Sequence, residues 1–138
     1  MWKWFHQLAS PPTFYRFADL LAPWLLGLAA LLIGVGVYGG LFLATPDYQQ
    51  GVAFRIIYVH VPAAALSLTI YTLMAVAGGI ALIWRMKLAE VAVVAAAPVG
   101  ASFTALALVT GMLWGKPTWG ADWVWDARLT SELVLLFL

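Results

Sequence analysis

The sequence predicts an all-α integral membrane protein. Three transmembrane helices and the start of a fourth follow an N-terminal interfacial segment, all in one membrane domain over residues 1–138. Hydrophobic residues make up 64% of the chain and charged ones 9%, against roughly 25% charged in a soluble domain. A chain with so few polar groups cannot cover itself with them, so lipid must act as its solvent. The apolar residues also gather into runs, and three of these are long enough to cross about 30 Å of hydrocarbon.

Met1–Leu20 mixes Trp2, Trp4, Phe5 and Phe14 with Lys3, His6, Arg16 and Asp19. It is too polar to span, and Pro11 and Pro12 are expected to interrupt any helix there, so it reads as an interfacial segment. The first span is predicted over Leu21–Ala44. That run is too long for the apolar core of a secretory leader, which makes it a helix that stays. Thr45–Val61 reads as a loop opened by the turn formers of TPDYQQG, and Pro62 suits the first turn of a second span, Pro62–Trp84. Ser67, Thr69 and Thr72 would act as polar glue within it. The second span ends at WRMK (Trp84–Lys87), an interfacial tryptophan followed by positive charges. A third span over Ala89–Leu113 carries small residues four apart at Ala97, Ala101 and Ala105, the expected seat of a partner helix, and Pro98 is expected to kink it. The last apolar run, Leu133–Leu138, is too short to cross, so the domain is expected to be truncated at its C-terminal end.

Three spans return the chain to the side it left after the first, so the loop containing His60 and the stretch after the third span share one face. Lys3, Arg16, Arg85 and Lys87 stand on the other, against Arg55, Lys116 and Arg128 here. This small excess favours a cytoplasmic N-terminus. The formal charge of +1 is spread without a basic patch, so nothing points to nucleic acid. No cysteine is present, which excludes disulfides and thiolate chemistry from this chain. It also has no GxxxxGK[ST] phosphate loop and no paired carboxylates or Ser–His set at useful spacing, so it does not read as an enzyme.

The residues with chemical promise lie at one end. Trp114, Trp119, Trp123 and Trp125 crowd a dozen positions, interleaved with Lys116, Asp122, Asp126 and Arg128. An interfacial tryptophan belt accounts for Trp114 at the end of a span. It accounts less well for the other three, of which Trp119 and Trp123 would share a face if helical. A flat apolar ligand with acidic edges would stack on the indoles and offer its carboxylates to Arg55, Lys116 or Arg128. Haem is such a ligand, and its iron takes an axial imidazole, for which His60 is the candidate. An interfacial histidine bonded to a backbone carbonyl is the plainer alternative for His60, and the only reading offered for His6. Arg128 and Glu132 are four apart, a spacing that serves an ion pair as well as it frees Arg128 for a propionate.

These residues also form a recognisable pattern. WGADWVWDARLT (Trp119–Thr130) resembles the tryptophan-rich "WWD" signature of bacterial haem-handling membrane proteins. PDYQQG (Pro46–Gly51), RIIYVHVPAA (Arg55–Ala64), WRMK (Trp84–Lys87), ALVTG (Ala107–Gly111) and WGKP (Trp114–Pro117) extend the likeness along the chain to the CcmC, or haem exporter protein C, family. The resemblance implies a multi-pass protein of the bacterial inner membrane that presents haem b, as cargo, on the periplasmic face during cytochrome c maturation. The haem-handling region would cover about 114–130, with the His60 loop beside it and the N-terminus in the cytoplasm. Delivery would be to the haem chaperone CcmE, with CcmD assisting and a CcmA–CcmB ATP-driven pair in the same complex. His60 matches the first of the family's two external histidines and would be the metal ligand. Trp119, Trp123, Trp125, Asp126, Arg55 and Arg128 complete the expected haem contacts. The chain ends before the second histidine, and it has Asp122 where many members carry another aromatic. The alternative function is a permease subunit of an ABC-type haem exporter.

Overall fold

A computed structural model gives the fold of residues 10–138. Helix α1 covers Pro11–Tyr38 and runs on as a π-helical turn, Gly39–Leu43. A 3-10 turn, Val52–Ile56, leads into α2, Ile57–Trp84; α3 is Lys87–Trp119 and α4 is Ala127–Leu136. Three helical segments, Pro11–Leu43, Val52–Trp84 and Lys87–Trp119, are long and apolar enough to cross a membrane. Each has 33 residues, or about 50 Å of helix at 1.5 Å per residue, so each outreaches a hydrocarbon core of about 30 Å.

That extra length is where the helix boundaries depart from expectation. Pro11 and Pro12 open α1 instead of interrupting it. At the first two helical positions the missing N–H groups would have had no partner, and the proline φ is already helical. Pro11–Leu20, expected as an interfacial segment, is therefore helical and continuous with the first span; Met1–Ala9, with His6, lies outside the described residues. Similarly, α2 begins ahead of Pro62, which sits inside the helix. Only one backbone bond is forgone there, that to the Tyr58 carbonyl. At the far end α3 runs past Leu113 and through Pro117 to Trp119. Gly120 stops it in the left-handed conformation, φ 77°, with its N–H bonded to the Lys116 carbonyl at 3.0 Å.

The core lies between α2 and α3. Arg85 and Met86 make the whole turn between them, and Arg85 takes up a left-handed φ of 53°. The facing surfaces are small: Ala63 and Ser67 on α2 are buried against Gly100, Thr104, Ala107 and Leu108 on α3. Ser67 and Thr104 are fully enclosed and share a hydrogen bond of 2.7 Å, while the Thr104 hydroxyl also bonds the Gly100 carbonyl. The buried stripe is thus Gly100–Thr104–Ala107–Leu108, one step around the helix from the expected Ala97–Ala101–Ala105, which are half-buried. Of Ser67, Thr69 and Thr72, Ser67 alone bonds across; Thr69 and Thr72 bond their own helix, to the carbonyls of Ala65 and Leu68.

Helix α1 is joined to this hairpin at one end. It contributes no buried residue of its own. Its π-helical extension is fastened by Arg55, whose Nε donates to the Ala44 carbonyl (2.9 Å) and whose Nη1 donates to that of Leu41 (3.0 Å). Gly40 lies so close to Tyr58 that any side chain there would meet the Tyr58 Cβ.

Candidate functional site

The two helices of the hairpin end together, and the chemistry-bearing residues collect there. Because α2 starts early, His60 stands on its first turn and not in a loop, and its ring faces α3. Nδ1 lies 3.1 Å from the Ala107 carbonyl and 3.1 Å from the Thr110 hydroxyl oxygen. A carbonyl can only accept, so Nδ1 is assigned the proton. Nε2 then carries the lone pair, and it has no hydrogen-bond partner among the described residues. The ring has room because position 111 is glycine: a Cβ there would come within 3.1 Å of His60 Cε1.

A cavity of about 430 Å³ opens beside this imidazole, a size that suits a small organic ligand. Its base is the His60–Gly111–Gly115 strip, and its indole walls are Trp114 and Trp119. The Trp114 ring is edge-on to His60, with centroids 5.8 Å apart, and 6.3 Å from the ring of Trp119. Trp114 is fixed from outside the helix by a hydrogen bond from its Nε1 to Gln50 Oε1, 2.8 Å long. The PDYQQG loop is built to deliver that contact. Asp47 Oδ1 accepts from the N–H groups of Gln49 and Gln50, and Asp47 and Gly51 bond each other's backbone. Gly51 closes the turn at φ 59°, ψ −138°, a conformation open to glycine and very few others. Trp114, which the sequence assigned to an interfacial belt, is therefore a wall of the cavity.

The segment between α3 and α4 is irregular, not helical: it bends at Asp122, and the Asp126 N–H turns back to the Val124 carbonyl at 2.8 Å. Asp122, Val124 and Asp126 line the cavity. Trp123 and Trp125 do not line it and pack against each other edge to face, 5.2 Å between centroids. Trp125 is 75% exposed, and the Trp123 Nε1 is buried without a partner. Trp119 and Trp123 do not share a face, because the helix that would have aligned them stops at Gly120.

Asp126 caps α4. Its Oδ1 accepts the Leu129 N–H (2.8 Å), and Oδ2 accepts from Nε and Nη2 of Arg128 (3.1 and 2.7 Å). The Leu129 hydrogen bond, with help from Arg128, holds this carboxyl below the usual aspartate range. Arg128 is thus paired with Asp126 and not with Glu132, whose Oε1 is buried without a partner on the cavity wall. Lys116 bonds Asp122 at 3.1 Å on the exposed rim.

The cavity unites four of the seven expected contacts: His60, Trp119, Asp126 and Arg128. Trp123 and Trp125 stand outside it, and Arg55 spends its guanidinium on the end of α1. Sequence reasoning missed Gln50, Thr110, Gly111 and Gly115, since each matters through a partner distant in the chain.

The match to known families follows this geometry. Residues 4–138 match the family model described as Heme exporter protein C, CcmC. The chain belongs to the CcmC family. It is 58% identical over its whole length to Heme exporter protein C of Escherichia coli (strain K12) and 54% identical to that of Haemophilus influenzae. A putative cytochrome c biosynthesis ccmC-like mitochondrial protein of Marchantia polymorpha is 46% identical over 124 residues, 90% of this chain and 53% of that protein. The chain spans about 56% of the length of the Escherichia coli and Haemophilus influenzae proteins.

Proposed function

We propose that this chain is the haem-holding part of an inner-membrane protein that presents haem b on the periplasmic side and hands it to a chaperone during cytochrome c maturation. One observation carries the reading: His60, with Nδ1 occupied and Nε2 unpartnered, stands at a cavity walled by Trp114 and Trp119. An imidazole so arranged is set up as a metal ligand. Among the described residues no group of three or more His, Cys, Asp or Glu side chains could hold a metal ion. One imidazole suits a metal that brings its other ligands with it, as iron does in a porphyrin.

The remaining residues fit the cargo's shape and charge. Indole faces stack on a flat macrocycle, and the Gly111–Gly115 strip lets it approach the helix backbone. Asp122, Asp126 and Glu132 would repel propionates from the inner wall, so the acidic edge points outward, where Arg128 and Lys116 stand. Trp123 and Trp125, outside the cavity, would meet the ring only as it leaves. Arg55 acts indirectly, by fixing the end of α1 beside α2.

Partners follow the family. CcmE is the receiving chaperone, CcmD an accessory, and CcmA–CcmB the ATP-driven pair. The N-terminus lies in the cytoplasm. A permease reading finds little support in the hairpin, where Ser67 and Thr104 bond each other and close the space between the helices.

The test is haem loading of the full-length protein in membranes, read by its Soret absorption, together with transfer to the chaperone. His60→Ala and Trp119→Leu should each lower haem occupancy at unchanged protein level. Trp125→Leu should retain occupancy and slow transfer. Haem occupancy that survives both cavity substitutions would remove the proposed site, and haem flux through proteoliposomes containing this protein alone would favour the permease.

A further inference from the structure

We propose that Thr110 and Gly111 are positioning residues for His60, holding it as the Nδ1–H tautomer with Nε2 free for iron; this rests on the haem-holding reading above. The Thr110 hydroxyl has a single proton, and its shortest contact, 2.7 Å, is to the Leu106 carbonyl one turn back. With its proton given there, the oxygen turns a lone pair to His60 Nδ1 at 3.1 Å. The Ala107 carbonyl, also 3.1 Å away, is a second acceptor at the same nitrogen. Two acceptors and no donor at Nδ1 select one tautomer.

Thr110 is 9% exposed, so the contact is sheltered from competing water. Burial raises the cost of breaking it, since an unpaired Nδ1–H or Thr110 oxygen would find no replacement. Gly111 acts by shape. A Cβ there would crowd Cε1 at 3.1 Å, so the ring would have to give by a few tenths of an ångström from its place against both acceptors. A hydrogen bond at Nδ1 also makes Nε2 a stronger electron donor, which favours ferric over ferrous iron at a ligated haem.

The experiment uses the full-length protein with 15N-labelled imidazole rings, His60 being assigned by the signal lost in His60→Gln. In the apo protein the nitrogen shifts should report Nδ1–H for His60. Thr110→Val leaves the Ala107 carbonyl as the one acceptor at Nδ1 and should admit a minor Nε2–H population, and Thr110→Ser should restore the original pattern. In the haem-loaded protein Thr110→Val should weaken affinity about 10-fold, the low end for loss of a partner behind a metal ligand because Ala107 remains. It should also move the midpoint potential to more positive values. Gly111→Ala should weaken haem binding while leaving thermal unfolding unchanged or raised. An Nε2–H tautomer in the unsubstituted protein, or Thr110→Val matching it in both tautomer and affinity, would overturn the proposal. Full haem affinity in His60→Gln would instead overturn the underlying reading, while leaving the tautomer result intact.

Discussion

The α2–α3 hairpin and helix α1 are equally apolar but differently held. In the hairpin, small facing residues and the enclosed Ser67–Thr104 bond bring two backbones together along their length. Among the described residues, helix α1 buries nothing along Pro11–Tyr38 and is pinned near Gly40, by Tyr58 and the Arg55 clamp. In lipid, apolar surface alone does not draw helices together, so association depends on close packing and interhelical hydrogen bonds. The hairpin has both and α1 has neither, except at its joint. His60, Thr110, Trp114 and Trp119 all stand on the hairpin, where position is dictated by contact.

The largest effect should come from overfilling the hairpin. Ser67 is 0% exposed, so Ser67→Leu has to part the helices, at a cost of about 1–3 kcal/mol or more. Haem binding should fall together with resistance to thermal unfolding. Gly40→Leu is the matched insult to α1. Its side chain collides with Tyr58, yet the His60 imidazole signal and haem affinity should change little, while disulfide cross-linking between cysteines introduced on α1 and α2 is lost. Equal damage to His60 from both substitutions would erase the distinction between the two regions.

A smaller effect concerns pH. The Asp126 carboxyl is held below its usual range by the Leu129 N–H and by Arg128, so its stabilisation of α4 is present above the unfolded value of about 3.9. It is lost as pH falls through the lower folded value. The Leu129 amide resonance should therefore titrate with a midpoint below about 3.9 and should cease to titrate in Asp126→Asn. A midpoint at or above 3.9 would mean that the cap and the Arg128 pair do not hold in solution.

Much of the fold was legible in the sequence because runs of apolar residues must be helical in lipid. The ends were not, because proline is tolerated near a helix start and glycine, not proline, stopped α3. The pairing of residues across the hairpin was nearer the surface than it looked. Tyr71 lies 14 residues before Arg85 and Gly100 lies 14 after Met86, and these two touch. Ser67 and Thr104, each 18 from the turn, are bonded, and His60 and Gly111, each 25 away, pack together. An antiparallel pair with a two-residue turn fixes all three contacts at once, so WRMK contained the register of the site. The placing of Trp123 and Trp125 was lost for a different reason: a helix would have aligned Trp123 with Trp119, and Gly120 ends the helix before it reaches them.

The most direct measurement of the central claim is haem stoichiometry and spectrum of full-length His60→Gly, with and without added imidazole. Loss of haem in the variant, and its return with a native-like Soret band when imidazole fills the vacated space, is the result predicted by ligation through Nε2 at this cavity. A variant that holds haem fully without imidazole, with an unshifted spectrum, would contradict it.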